Sequence, residues 1–146
     1  RDERARVDLY RRAHRAAAQD DVDALAAEMR DRFGAPPPPA RNLLDETRLR
    51  IACQRAGVRS IVRDGRHVHI DVEDMAAASA ALAQAGRRLR VLDERTIYLR
   101  LESDQVPAEA VLRYLARTLA ATPDPAPARP AQAGRQHAVS TRQEPT

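Results

Sequence analysis

Val58-Arg59-Ser60-Ile61-Val62-Arg63-Asp64-Gly65-Arg66-His67-Val68-His69-Ile70-Asp71-Val72 is the stretch that decides how this 146-residue chain folds. Its apolar residues recur every second position, the period of a strand with one face buried. Asp64-Gly65 divides it into two runs, 58–63 and 66–72, and reads as a two-residue hairpin turn. Val68, Ile70 and Val72 would face a core, leaving His67, His69 and Asp71 on the opposite face.

Upstream the period is 3.6. Residues 4–18 read as a helix with Val7, Tyr10, Ala13 and Ala17 along one side. Asp20 or Asp21 can cap a second helix by accepting from its free amides, and Val22, Leu25, Ala26, Met29 and Phe33 follow helical spacing up to Gly34. Pro36 to Pro39 break the backbone and permit a new start, because proline is tolerated in a first helical turn. That third helix runs to about Ala56 with Leu43, Leu44, Thr47 and Ile51 as its apolar stripe, and Gly57 stops it.

Downstream, residues 74–85 form an alanine-rich helical pattern ending near Gly86. Runs near 88–92 and 96–101 alternate Leu89, Val91, Ile97, Leu99 and Leu101, and Pro107 opens a last helix carrying Val111, Leu112, Leu115 and Leu119. Strand-strand-helix therefore occurs twice after Gly57, the two copies sharing pattern more than residues. The fold class is α+β: N-terminal helices, then a small sheet of two β-hairpins packed with two helices. From Thr122 the periodicity vanishes into Thr122-Pro123-Asp124-Pro125-Ala126-Pro127 and polar residues, too little apolar surface to offset ordering entropy. The expected organisation is one domain over 1–121, with a helical region over residues 1–57 and a hairpin-helix region over residues 58–121, and a disordered tail over 122–146.

Composition narrows the function. All 25 basic residues are arginine against 21 acidic ones, a net charge of +4, and the acids are interspersed throughout. With 3% aromatic residues there is little to stack against exposed bases, so an arginine-rich nucleic-acid-binding module is the lesser reading. The absence of lysine excludes a P-loop, and no dinucleotide-binding glycine pattern follows a strand. No apolar run approaches the roughly 18 residues of a membrane span. Cys53, alone in the sequence, gives no disulfide framework, and its helical setting suits a small buried hydrophobe better than a nucleophile. A cytoplasmic location is expected. The chain starts at Arg1 without an initiator methionine, which suggests processing or a fragment.

Two constellations remain. His67, His69 and Asp71 share a strand face and could hold a divalent ion, but alternation with Val68 and Ile70 already demands a polar face there, and no metal is expected. Glu28 and Asp31 stand at i and i+3 near the C-terminal end of the second helix, where carboxylates oppose the helix dipole. Spacing alone favours a solvated face balanced by Arg30 and Arg32 over an acidic docking patch for a partner's arginines.

Met29-Arg30-Asp31-Arg32-Phe33-Gly34, then Pro37 and Pro39, then Asn42-Leu43-Leu44 and Arg48-Leu49-Arg50, with Leu9-Tyr10-Arg11-Arg12 before them, resemble the C-terminal domain of the bacterial transcription-repair coupling factors. The motif match spans residues 1 to about 60, continues to about 120 by element order, and leaves the tail unmatched. The resemblance implies a parent DNA translocase that uses ATP and Mg in motor modules outside this chain, displaces stalled RNA polymerase at lesions and recruits UvrA. It implies no catalytic residue or cofactor here. The domain would instead dock on the UvrB-like N-terminal module of its own chain, masking the UvrA-binding surface and restraining the motor. The family's acidic contacts to that module fall on Glu28 and Asp31, which makes the docking patch the better reading.

Overall fold

In a computed structural model, which describes residues 2–121, the elements run α1 (Asp2–Arg15), α2 (Gln19–Phe33), α3 (Pro38–Ala56), β1 (Val58–Asp64), β2 (His67–Val72), α4 (Met75–Ala81), a 3-10 segment (Ala83–Arg88), β3 (Leu89–Val91), β4 (Thr96–Arg100) and α5 (Ala108–Ala120). The expected tail lies outside the described residues. The class is α+β, three helices followed by a four-stranded antiparallel sheet with its helices.

Helix α3 organises everything because it is apolar on two sides. Leu43, Leu44 and Ile51 join Ala13, Ala16, Val22, Leu25 and Met29 in a helical core. Leu49, Ala52, Cys53 and Ala56 join Val68, Ile70, Val72, Ile97, Leu99, Leu115 and Leu119 in a second core under the sheet. Thr47 and Thr118 are buried without penalty, each hydroxyl donating to the carbonyl one turn back, Leu43 at 2.7 Å and Tyr114 at 2.8 Å.

The helix ends are built from local chemistry. Pro37 precedes α3, and Pro38 and Pro39 open it, where missing amides cost nothing. Asp21 is not the cap residue of α2 but its third helical position. Ala18 is the cap and has no acceptor, so Asp21 makes one half of a capping box by accepting from the amides of Ala17 at 2.9 Å and Ala18 at 3.0 Å. Those two bonds hold its carboxyl below the ordinary aspartate value. Arg50 reaches from α3 to the carbonyls of Ala13 at 3.3 Å and Ala16 at 2.8 Å where α1 ends, adding a second donor to Ala13, which already accepts from the Ala16 amide, and supplying one to Ala16.

Gly57 ends α3 in the left-handed region with φ 66 and ψ 30, and its amide donates to Cys53. A Cβ there would also meet the Asp74 Cβ at 3.0 Å and the Asp74 nitrogen at 3.2 Å. Its carbonyl accepts from Glu73 at 2.7 Å, so the chain entering β1 is tied to the chain leaving β2. Asp74 then caps α4, accepting from Ala77 at 2.9 Å.

The sheet order is β1-β2-β4-β3. The two hairpins meet through their second strands, so the units are alike in topology. They differ in their helices, seven residues of α4 against thirteen of α5. Val68, Ile70, Val72, Ile97 and Leu99 are fully buried on the inner face, as their alternation predicts.

Several expectations are corrected. Asp64 pairs with His67, so the two-residue loop is Gly65-Arg66 rather than Asp64-Gly65. Gly65 has φ 57 while Arg66 has negative φ, which fits a type II′ turn with glycine first. The alanine-rich helix stops at Ala81, and a 3-10 segment broken at Gly86 carries the chain into β3. Val7, Tyr10, Phe33 and Val91 are exposed rather than core, because α1, α2 and β3 sit at the rim. Ala13 in α1 and Ala16 just after it are buried, and Ala17 is exposed.

Candidate docking site

The C-terminal half of α2 sets Glu28 and Asp31 in different environments. Glu28 lies on the flank toward α1. Its Oε2 accepts from Arg12 Nη2 at 2.5 Å and its Oε1 faces Arg32 Nη1 at 3.3 Å, one helical turn on. Its side chain is 26% exposed. The Arg12 hydrogen bond, then the nearby positive charges, hold the Glu28 carboxyl below its ordinary range against a desolvation effect of opposite sign. The same bond raises Arg12 above the ordinary guanidinium value.

Asp31 points away from the helical core and is exposed, with neither an ion pair nor a hydrogen bond among the described residues. It stands in the last turn of α2, where terminal carbonyls concentrate partial negative charge. A carboxylate in that place is relieved when a cation arrives. Two residues on, Phe33 is 55% exposed where α2 runs past the core. Gly34 follows with φ 77 and ψ −154, a backbone open to glycine alone, its amide closing on Arg30 at 2.9 Å.

The helix end thus places an exposed aromatic beside two carboxylates. Spacing assigns Phe33 to the apolar stripe, and only its position past the end of the core exposes it. Arg12 belongs to the motif read at the start of the chain, but nothing in the sequence pairs it with Glu28. It is sixteen residues from Glu28, and no sequence period links them.

The remaining candidates lie on β2 and α3. His67 and His69 pack on Tyr98, with ring centroids 5.3 and 4.2 Å apart, and no group of three or more His, Cys, Asp or Glu side chains among the described residues is placed to hold a metal. Asp71 lies on the same face, paired in register with Ser60 and Thr96. Cys53 is half-buried in α3, and desolvation pushes its thiol up to about 11, away from thiolate reactivity.

Residues 1–82, which include α1 to α3, the first hairpin, α4 and both carboxylates, match the model of the TRCF domain family. The chain belongs to the TRCF domain family. Curated relatives agree: the transcription-repair-coupling factor of Escherichia coli (strain K12) is 38% identical over 60 residues, 41% of this chain. That of Mycobacterium bovis is 39% identical over 59 residues, 40% of this chain. The chain spans only 5% of the length of either relative. A solved structure, the crystal structure of the C-terminal domain of a transcription-repair coupling factor, superposes with TM-score 0.62 at 16% identity, covering 80% of this chain and 79% of that one. At that identity the likeness concerns the fold alone.

The TRCF domain's motif residues now have physical roles. Arg48 pairs with Asp23 at 2.9 Å and lies 3.6 Å from Asp45, and its carbonyl accepts from Gln19 at 3.1 Å. With Arg50 it clasps α1 and α2 onto α3. Asp31 stands outside this clasp. No described helix is long and apolar enough to cross a membrane.

Proposed function

We propose that this TRCF domain is a docking and restraint module of a transcription-repair coupling factor, held through Glu28, Asp31 and Phe33 against the UvrB-like N-terminal module of its own chain. The observation that carries the reading is the contrast between the two carboxylates. Glu28 is oriented by Arg12 and Arg32 and keeps spare acceptor capacity, while Asp31 is exposed beside an exposed ring and unpaired among the described residues. A partner arginine can take Asp31 at once and share Glu28 without first rearranging the helix.

Such a contact acts as a switch through its tether. A domain in the same chain meets its site at high effective concentration, so a modest interface stays closed. A competing partner opens it with a few kcal/mol of differential affinity. In the parent, closure would mask the surface that binds UvrA and restrain the motor until RNA polymerase is engaged. ATP, Mg and DNA would be handled by modules outside this chain, in the cytoplasm, and this domain would have no catalytic residue of its own.

The test is made in the full-length parent, comparing wild type with the double variant Glu28→Arg and Asp31→Arg. Easier UvrA binding and higher basal ATPase without polymerase are expected. Unchanged values in a folded variant would reduce the pair to a solvated helix end.

A further inference from the structure

The outer face of the sheet gathers a chemistry that docking through α2 does not use. The helices α3, α4 and α5 contribute to the core on the inner face. Strand pairing aligns Val62, His69, Tyr98 and Arg90 in one row across all four strands. Asp64, His67 and Arg100 form the next row, and Ser60, Asp71 and Thr96 the row on the other side, with Leu92 bonded to Thr96 at its end.

His69 lies tilted against Tyr98 and His67 meets it edge-on, so three rings make one patch at the middle of the sheet. Eight Tyr, Phe and His residues occur in the whole sequence, and three of them meet here. Val62 and Leu92 are 57% and 56% exposed beside the patch. Arg90 and Arg100 are exposed, and neither has an ion-pair or hydrogen-bond partner among the described residues.

We infer that this face binds single-stranded RNA, bases stacking on Tyr98 and His69 and the backbone running over Arg90 and Arg100. A ring patch on an open antiparallel sheet accepts any base through its π-face, and free guanidiniums neutralise phosphates. The remaining groups select RNA. Asp64 and Asp71 would repel a phosphate, yet with Ser60 and Thr96 they can accept from ribose 2′-hydroxyls, which DNA lacks. Four strands at about 4.8 Å spacing offer room for roughly two to three nucleotides.

The test is fluorescence anisotropy of the 146-residue chain with labelled single-stranded oligouridylate of about ten nucleotides, its DNA counterpart, and duplex RNA. Saturable binding is expected, tightest for single-stranded RNA. Tyr98→Ala weakens it at least about fivefold, the low end of a lost base stack, while Tyr98→Phe retains it. Arg90→Gln and Arg100→Gln each lower the logarithmic salt slope by about 0.7. Circular dichroism confirms that each variant is folded. The inference is overturned by no saturable binding, by equal affinity for DNA or duplex, or by an unaffected Tyr98→Ala. It is also overturned if Tyr98→Ala weakens a protein contact of the parent while RNA does not bind. The α2 carboxylates lie on another element, so this failure leaves the docking reading standing.

Discussion

Substituting Gly57 by alanine tests the joint between the helical core and the sheet. Two costs arise, and they are separable. A non-glycine residue in the left-handed region, where Gly57 sits at φ 66, costs about 1–2 kcal/mol. The new Cβ would also stand 3.0 Å from the Asp74 Cβ and 3.2 Å from its backbone nitrogen, atoms fixed by the start of α4. Overpacking of this kind adds about 1–3 kcal/mol. The total expected loss is about 2–5 kcal/mol, a large share of the stability of a domain this size. Gly57→Asn separates the two costs, because asparagine tolerates the left-handed region yet carries the same Cβ, so it should keep the steric loss of about 1–3 kcal/mol. Urea unfolding followed by circular dichroism measures both variants. A Gly57→Asn protein as stable as wild type would refute the steric half of the reasoning and place the Asp74 contact among tolerated ones.

Glu28→Gln removes the charge that Arg12 and Arg32 hold. Because the Glu28 pKa is depressed in the fold, its contribution is present above the ordinary value of 4.5 and disappears as pH falls through the folded value. The melting-temperature gap between wild type and variant should be present at neutral pH and close in acid, and a gap that persists in acid contradicts the pairing of Glu28 with Arg12 and Arg32. Arg50→Ala strips the Ala16 carbonyl of its donor and removes one of two from Ala13, and should cost about 1–3 kcal/mol with faster amide exchange at the end of α1; unchanged exchange would contradict the capping role. The Cys53 thiol, pushed up to about 11, should resist alkylation at mildly alkaline pH and react only on unfolding, whereas native-state labelling at the rate of a free thiol would contradict its burial.

What is legible in the sequence is what a local rule governs. Pro38 and Gly57 mark helix ends because each has one conformational reason to be there. Val68, Ile70, Ile97 and Leu99 are read correctly because alternation and burial coincide in central strands. Where position in the tertiary structure decides, the local rule fails. Val91 alternates correctly yet lies in a three-residue edge strand, and Phe33 keeps helical spacing past the end of its core. Asp64-Gly65 carries a hairpin signal, but the pairing of Asp64 with His67 moves the turn by one residue. At the site, spacing brings Glu28 and Asp31 to one helix end. The partner that distinguishes them, Arg12, comes from another helix and is visible only in three dimensions.

The most direct test of the docking account titrates this chain against the separately produced N-terminal module of its own parent by isothermal calorimetry. The account predicts saturable binding, weak enough to rely on a tether that supplies about millimolar effective concentration. Binding should be lost with Glu28→Arg and Asp31→Arg together, and regained when the module's facing arginines are changed to glutamate. Equal affinity of wild type and the folded double variant would contradict it.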